Sequence, residues 1–131
     1  VERAEQALDL GSCRWMNIKP GRVGGLTPAL AIHDLCRQAG VGCWVGGMLE
    51  SAVGSRVAIA LAMLDNFTYP PEIAASHVHY REDLATPAVE LVTGPDGSPQ
   101  VLAPEVPGTG AVPDPQRLEQ MTIARARIAA K

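Results

Sequence analysis

Of the eleven basic residues, only Lys19 and Lys131 are lysines. Lys19 lies in Asn17-Ile18-Lys19-Pro20-Gly21-Arg22-Val23-Gly24-Gly25, where an apolar stretch (Trp15, Met16, Ile18) gives way to a Pro/Gly loop. A strand that ends in a polar residue and then turns is how α/β enzymes present catalytic groups. An amine placed there can act as general acid or base, or as an electrostatic stabiliser. An amine with the ordinary lysine pKa of about 10.4 works as a base near pH 7 only when desolvated or set beside another cation. The end of a buried strand offers such a place. A solvent-facing loop lysine is the alternative.

The next apolar stretch ends in Gly46-Gly47-Met48-Leu49-Glu50. Glycines let backbone approach a ligand closely, and Met48 and Leu49 offer an apolar wall; an ordinary turn between strand and helix explains the same residues. Glu50 can orient Lys19 or cap the following helix, where a carboxylate is favoured. Arg22 can bind a carboxylate or brace its loop through carbonyls. His77 and His79 have no third ligand at a workable spacing, so no metal ligands are assigned in this chain. His33 falls inside a helix as a surface or packing residue. Glu72 and Asp83 flank the segment after the third strand, lining the mouth of a site or simply solvated. Cys13, Cys36 and Cys43 form no C-x-x-C pair and read as small buried thiols.

These groups are positioned by a rhythm of short strands and helices. Ala4, Ala7 and Leu8 mark a helix over 1–10, stopped by Gly11. The absence of an N-cap before Val1 raises the expectation of upstream sequence. Residues 13–19 read as a buried strand whose end is set by Lys19-Pro20. Thr27 and Pro28 look like the N-cap and first turn of a helix that buries Ile32, Leu35, Cys36 and Ala39. Residues 41–45 make a second strand, 51–64 a helix apolar nearly all round and packed on more than one side, and 67–69 a third strand stopped by Pro70-Pro71. Such alternation implies a parallel α/β sheet or barrel. Three parallel strands leave unpaired edges that further strands would close. Beyond Tyr80 the texture changes: a hairpin over 89–102 turning at Gly94-Pro95-Asp96-Gly97, a Pro/Gly-rich extended segment over 103–115, and a closing helix over 116–130 that uses Leu118, Met121 and Ile128.

The chain has 131 residues, is 47% apolar and 19% charged, and carries a net charge of −3 with only two Trp, two Tyr and one Phe. It can build a core. The acidic balance and scarce aromatics argue against nucleic-acid binding, and no apolar run reaches membrane-spanning length. The N-terminal residues lack the pattern of a secretory signal, so a cytoplasmic location is expected.

The lysine motif and the Gly-Gly-Met motif, with Asn66-Phe67-Thr68 and Pro107-Gly108-Thr109-Gly110 beyond them, resemble the C-terminal part of the o-succinylbenzoate synthase / N-succinylamino acid racemase family of the enolase superfamily. The resemblance covers nearly the whole chain. It implies the end of a modified TIM barrel, (β/α)7β: residues 1–80 as the last three βα units, and 81–131 as a hairpin, extended segment and helix returning to an absent N-terminal capping domain. Lys19 matches the family's sixth-strand catalytic lysine. Gly47, Met48 and Leu49 match the substrate-binding segment, with Glu50 and Arg22 as possible supports. The implied chemistry is α-proton abstraction from a small carboxylate and formation of an enediolate stabilised by Mg²⁺. This serves either a dehydration in menaquinone biosynthesis or a racemisation in which two lysines exchange acid and base roles. The Lys-x-Lys pair and the carboxylate metal ligands are expected upstream of Val1, so this piece alone is expected to be inactive. The intact protein is expected to be a homo-oligomer. Pro71-Glu72 departs from the Gly-Asp of many relatives, which bears on substrate preference. Two other readings remain: a dipeptide epimerase or muconate cycloisomerase-like enzyme of the same superfamily, or a non-catalytic α/β module that self-associates.

Overall fold

Two parallel strands, β1 (Trp15–Ile18) and β2 (Gly42–Val45), pair from Trp15 opposite Gly42 to Ile18 opposite Val45. The computed structural model describes residues 1–128, and Lys131 lies outside them. Side chains alternate across a strand, and here that alternation separates two faces. Ile18, Cys43 and Val45 are buried and Met16 packs against them, together with Ala29, Ile32, Cys36, Ala58 and Leu61 from the covering helices. Trp15 sits on the opposite face, 46% exposed. It covers Gly42, where an added Cβ would come within 2.4 Å of the indole, and its ring lies 5.1 Å from Tyr69.

The helices follow from these apolar stripes. In α1 (Glu2–Asp9) Ala4 is buried and Leu8 packs on the core, as the spacing predicts. A one-turn helix, α2 (Pro20–Val23), replaces the expected loop; Pro20 suits its first position, and Gly24, at φ +97°, ends it. The next helix, α3 (Leu26–Gln38), begins one residue before Thr27, with Gly25 at the cap and no side-chain capping bond. Its buried stripe is Ala29, Ile32, His33 and Cys36. Leu35 is only half-buried and Ala39 is exposed. His33 packs inside: its ring stacks on Phe67 at 5.2 Å, and Nδ1 lies 3.0 Å from the Asp34 carboxylate. The next helix, α4 (Ala52–Ala62), packs on two sides as expected, placing Ala58 and Leu61 in the main core and Ala52 and Ile59 in a second cluster with Ala85 and Val89.

The expected third strand at 67–69 is not a regular strand. Its segment tracks β2 irregularly: the Cys43 N–H donates to Asn66 O (2.8 Å), the Tyr69 N–H to Cys43 O (3.4 Å) and the Glu72 N–H to Val45 O (2.9 Å). Pro70 and Pro71 carry no N–H and cannot complete a ladder.

After the short helix α5 (Ser76–His79), the chain adds two small antiparallel pairs: β3 (Ala85–Thr86) with β6 (Val112–Pro113), and β4 (Val92–Thr93) with β5 (Pro99–Gln100). The second pair is the expected hairpin in shortened form. The first pair was not expected; it ties part of the extended segment to the chain. Asp114 caps α6 (Pro115–Met121), accepting the Gln116 and Arg117 N–H groups. The closing helix stops at Met121, and 122–128 are not helical; the expected 129–130 lie outside the described residues. Met121 and Ile128 are 67% and 94% exposed. Without a surface to bury such a face, a short helix has little to sustain it.

Candidate functional site

The Lys19 backbone is extended (φ −109°, ψ 104°) as the residue before α2. Its side chain shares the open face of the sheet with Asn17. A Cβ at Gly46 would fall 2.2 Å from Asn17 Oδ1 and 2.7 Å from Lys19 Cγ, so only glycine lets both side chains cross the end of β2. From there Lys19 Nζ donates to the Gly47 carbonyl at 2.5 Å and to Glu72 Oε2 at 3.0 Å. The lysine side chain is 23% exposed and that of Glu72 63%. The hydrogen bond from Lys19, then its charge, holds the Glu72 carboxyl below the ordinary glutamate range. Gly47 is required for a second close approach: a Cβ there would lie 2.3 Å from the Glu72 carbonyl oxygen.

Beside this pair opens a cleft of about 400 Å³, lined by Gly47, Met48, Leu49, Glu50, Glu72 and His79 among others. Lys19 lies at its edge, bonded to two of the lining residues. Met48 and Leu49 are 43% and 74% exposed and form an apolar wall. Lys19, Gly47, Met48 and Leu49, far apart in the chain, are thus brought to one place.

Other expected supports take different roles. Glu50 neither orients Lys19 nor caps α4; its Oε2 accepts the Met48 N–H at 2.5 Å, closing its own loop. Asp83 is neither solvated nor at the mouth. It is 4% exposed, and both its oxygens accept the Ala52 N–H at 2.9 Å, which caps α4. The Arg22 side chain is exposed and makes no hydrogen bond among the described residues, so the structure does not bring it into the site. The lysine's anionic partner is Glu72 rather than Glu50. One signal bore on it: a carboxylate directly after Pro70-Pro71 at the end of an extended stretch, where Lys19 instead stands directly before Pro20.

Among the described residues no three His, Cys, Asp or Glu side chains gather where they could hold a metal ion. Magnesium takes several oxygen ligands in near-octahedral order, and the residues present do not fit it. No helix of the described residues is long and apolar enough to cross a membrane. Cys36 and Cys43 are buried free thiols and Cys13 is half-buried.

The profile of enolase C-terminal domain-like proteins matches residues 1–117. The o-succinylbenzoate synthase of Geobacillus stearothermophilus is 47% identical over 119 residues, covering 91% of this chain and 30% of that protein. The N-succinylamino acid racemase of an Amycolatopsis species is 40% identical over 125 residues, 95% of this chain and 32% of that protein. A solved enolase-superfamily member from Listeria innocua superposes with a TM-score of 0.80 at 39% identity, over 91% of this chain and 31% of that one. The chain thus spans about a third of the length of the relatives it matches.

Proposed function

Because the chain belongs to the enolase C-terminal domain-like family, we propose that it supplies the closing strands and tail of a barrel enzyme of the o-succinylbenzoate synthase or N-succinylamino acid racemase kind, with Lys19 as its catalytic residue. The carrying observation is the placement of the lysine. It stands at the C-terminal end of a parallel strand, on the face turned from the helices, with its ammonium fixed beside an open cleft. Residues 1–80 act as the last βα units and 81–131 as the segment that returns to a capping domain.

In this reading a small succinylated carboxylate lies against Met48 and Leu49, with its α-carbon toward Lys19. Loss of the α-proton places negative charge on the carboxylate oxygens. A preorganised ammonium stabilises that charge; as the amine it takes the proton, and as the ammonium it returns one. Racemisation uses both forms of Lys19, whereas dehydration asks of Lys19 only its positive charge, the α-proton going to a base outside this chain. Glu72 and the Gly47 carbonyl hold the lysine in place. The magnesium implied by the resemblance would be held by residues outside this chain. Relatives at 40–47% identity bearing the synthase and racemase names favour this reading over an epimerase, a cycloisomerase or a non-catalytic module. A cytoplasmic homo-oligomer is the proposed setting.

The test is isotopic. The protein carrying this chain, incubated in deuterium oxide with an N-succinyl amino acid, should incorporate deuterium at the α-carbon. Its Lys19→Ala variant should lose that exchange for at least one enantiomer. Exchange at wild-type rates for both enantiomers removes Lys19 from the chemistry.

A further inference from the structure

We propose that Tyr80 is a positioning residue for substrate binding: its phenol holds the Gly47–Glu50 loop in the shape that forms the cleft wall, working from a base anchored by Asp83. This rests on the reading of Gly47, Met48 and Leu49 as substrate contacts. The Tyr80 hydroxyl donates to the Leu49 carbonyl at 2.7 Å. Leu49 is 74% exposed, so burial does not hold it. The loop's other polar ties both meet the Gly47–Met48 peptide: Lys19 on the Gly47 carbonyl, and Glu50 on the Met48 N–H. The Tyr80 bond fixes the exposed residue that follows.

The base behind Tyr80 is rigid for a physical reason. Besides the Ala52 N–H, Asp83 accepts the Ser76 hydroxyl at 2.5 Å and the Ala85 N–H at 3.0 Å, and Ser76 Oγ accepts the Val89 N–H at 2.9 Å. The Tyr80 N–H donates to Ser76 O at 2.9 Å, and Arg117 donates to the Asp83 carbonyl at 2.6 Å. Buried groups satisfied this fully resist movement. The same carboxylate pins the start of α4, immediately after the loop. One short piece of chain, 76–83, therefore holds the loop at Leu49 and the helix that follows it at Ala52. Burial, with the charges of Asp83 and Glu50, raises the phenol's pKa and keeps it a donor.

The test is Tyr80→Phe in the protein carrying this chain, which removes one oxygen and keeps the ring. Amide hydrogen exchange across 47–50 should quicken about fivefold, and KM for an N-succinyl amino acid should rise by about the same factor, the equivalent of one neutral hydrogen bond. kcat should stay within about twofold, as expected when binding rather than the chemical step is weakened. Unchanged exchange, or a loss confined to kcat, overturns the proposal. If the wild-type protein turns over no succinylated carboxylate, the functional reading fails, and exchange alone then decides whether Tyr80 braces the loop.

Discussion

Lys19 and Glu72, separated by 53 positions in the chain, meet at 3.0 Å at the edge of the cleft. Each follows an extended segment and adjoins proline, Lys19 before Pro20 and Glu72 after Pro71. Their meeting is a product of β2, which hydrogen-bonds to β1 on one side and to the Asn66–Glu72 segment on the other.

Removing the amine should separate chemistry from stability. In the protein carrying this chain, Lys19→Ala is expected to lower kcat by about 10²-fold or more, the scale of a lost acid–base group. An ion pair this exposed contributes little to stability, so the midpoint of urea unfolding should barely move. Steady-state kinetics and urea titration check both halves.

Glu72 should report its partner through pH. Its folded-state pKa is depressed, first by the Lys19 hydrogen bond and then by its charge. Any stability from the pair is therefore present above the ordinary glutamate pKa and lost as pH falls through the folded value. A carboxyl-carbon NMR titration should find the midpoint below the ordinary range and see it return upward in Lys19→Ala. An unmoved midpoint in that variant means the contact is not populated in solution.

The adjacent glycines should respond differently to alanine. At Gly47 the new Cβ meets the backbone oxygen of Glu72, which cannot swing aside. A loss of about 1–3 kcal/mol, typical of overpacking, is expected from denaturant unfolding. At Gly46 the clash is with the side chains of Asn17 and Lys19, which can rotate. Gly46→Ala should cost less stability and more activity, because it displaces the lysine.

Asp83→Ala should be costly although the residue does not line the cleft. It leaves the Ala52 and Ala85 N–H groups and the Ser76 hydroxyl without their acceptor. Losing a helix cap together with buried hydrogen bonds is expected to cost roughly 2–4 kcal/mol, measured as a lower urea midpoint.

The thiols should separate by burial. Burial, then the neighbouring Cys36, pushes Cys43 up to about 12, and burial also raises Cys36. A neutral thiol with a raised folded pKa supports the fold below the ordinary thiol value, and that support is lost as pH climbs toward about 12. At pH 8, iodoacetamide should modify half-buried Cys13 well before either buried thiol, as read by mass spectrometry.

Much of the architecture was legible in local pattern. Ala4 and Leu8 announced α1, Gly94 to Gly97 the hairpin turn, and the nearly uniform apolarity of α4 its packing on two sides, because each depends on residues within one or two turns of chain. Each misreading has its own physical cause. Thr27 was a good cap by type, but the chain entered α3 through Gly25. Phe67–Tyr69 had strand composition, but two prolines withheld the donors a ladder needs. Leu118, Met121 and Ile128 had helical spacing, but no described surface covers them, and the helix ends at Met121.

By itself the sequence determined the family and marked the candidate residues: a lone internal lysine at a strand end and a Gly-Gly-Met turn after the next strand. Only the tertiary structure decided their partners. Glu50 and Glu72 are the same residue type, each after an extended stretch, and the prolines that set Glu72 apart do not tell which carboxylate the ammonium reaches. The ammonium reaches Glu72 because the proline-broken segment runs beside β2, while Glu50 turns back onto the Met48 N–H. Asp83 is buried rather than solvated for the same reason: the N-terminus of α4 needs an acceptor, and the return of the chain through 76–85 delivers one.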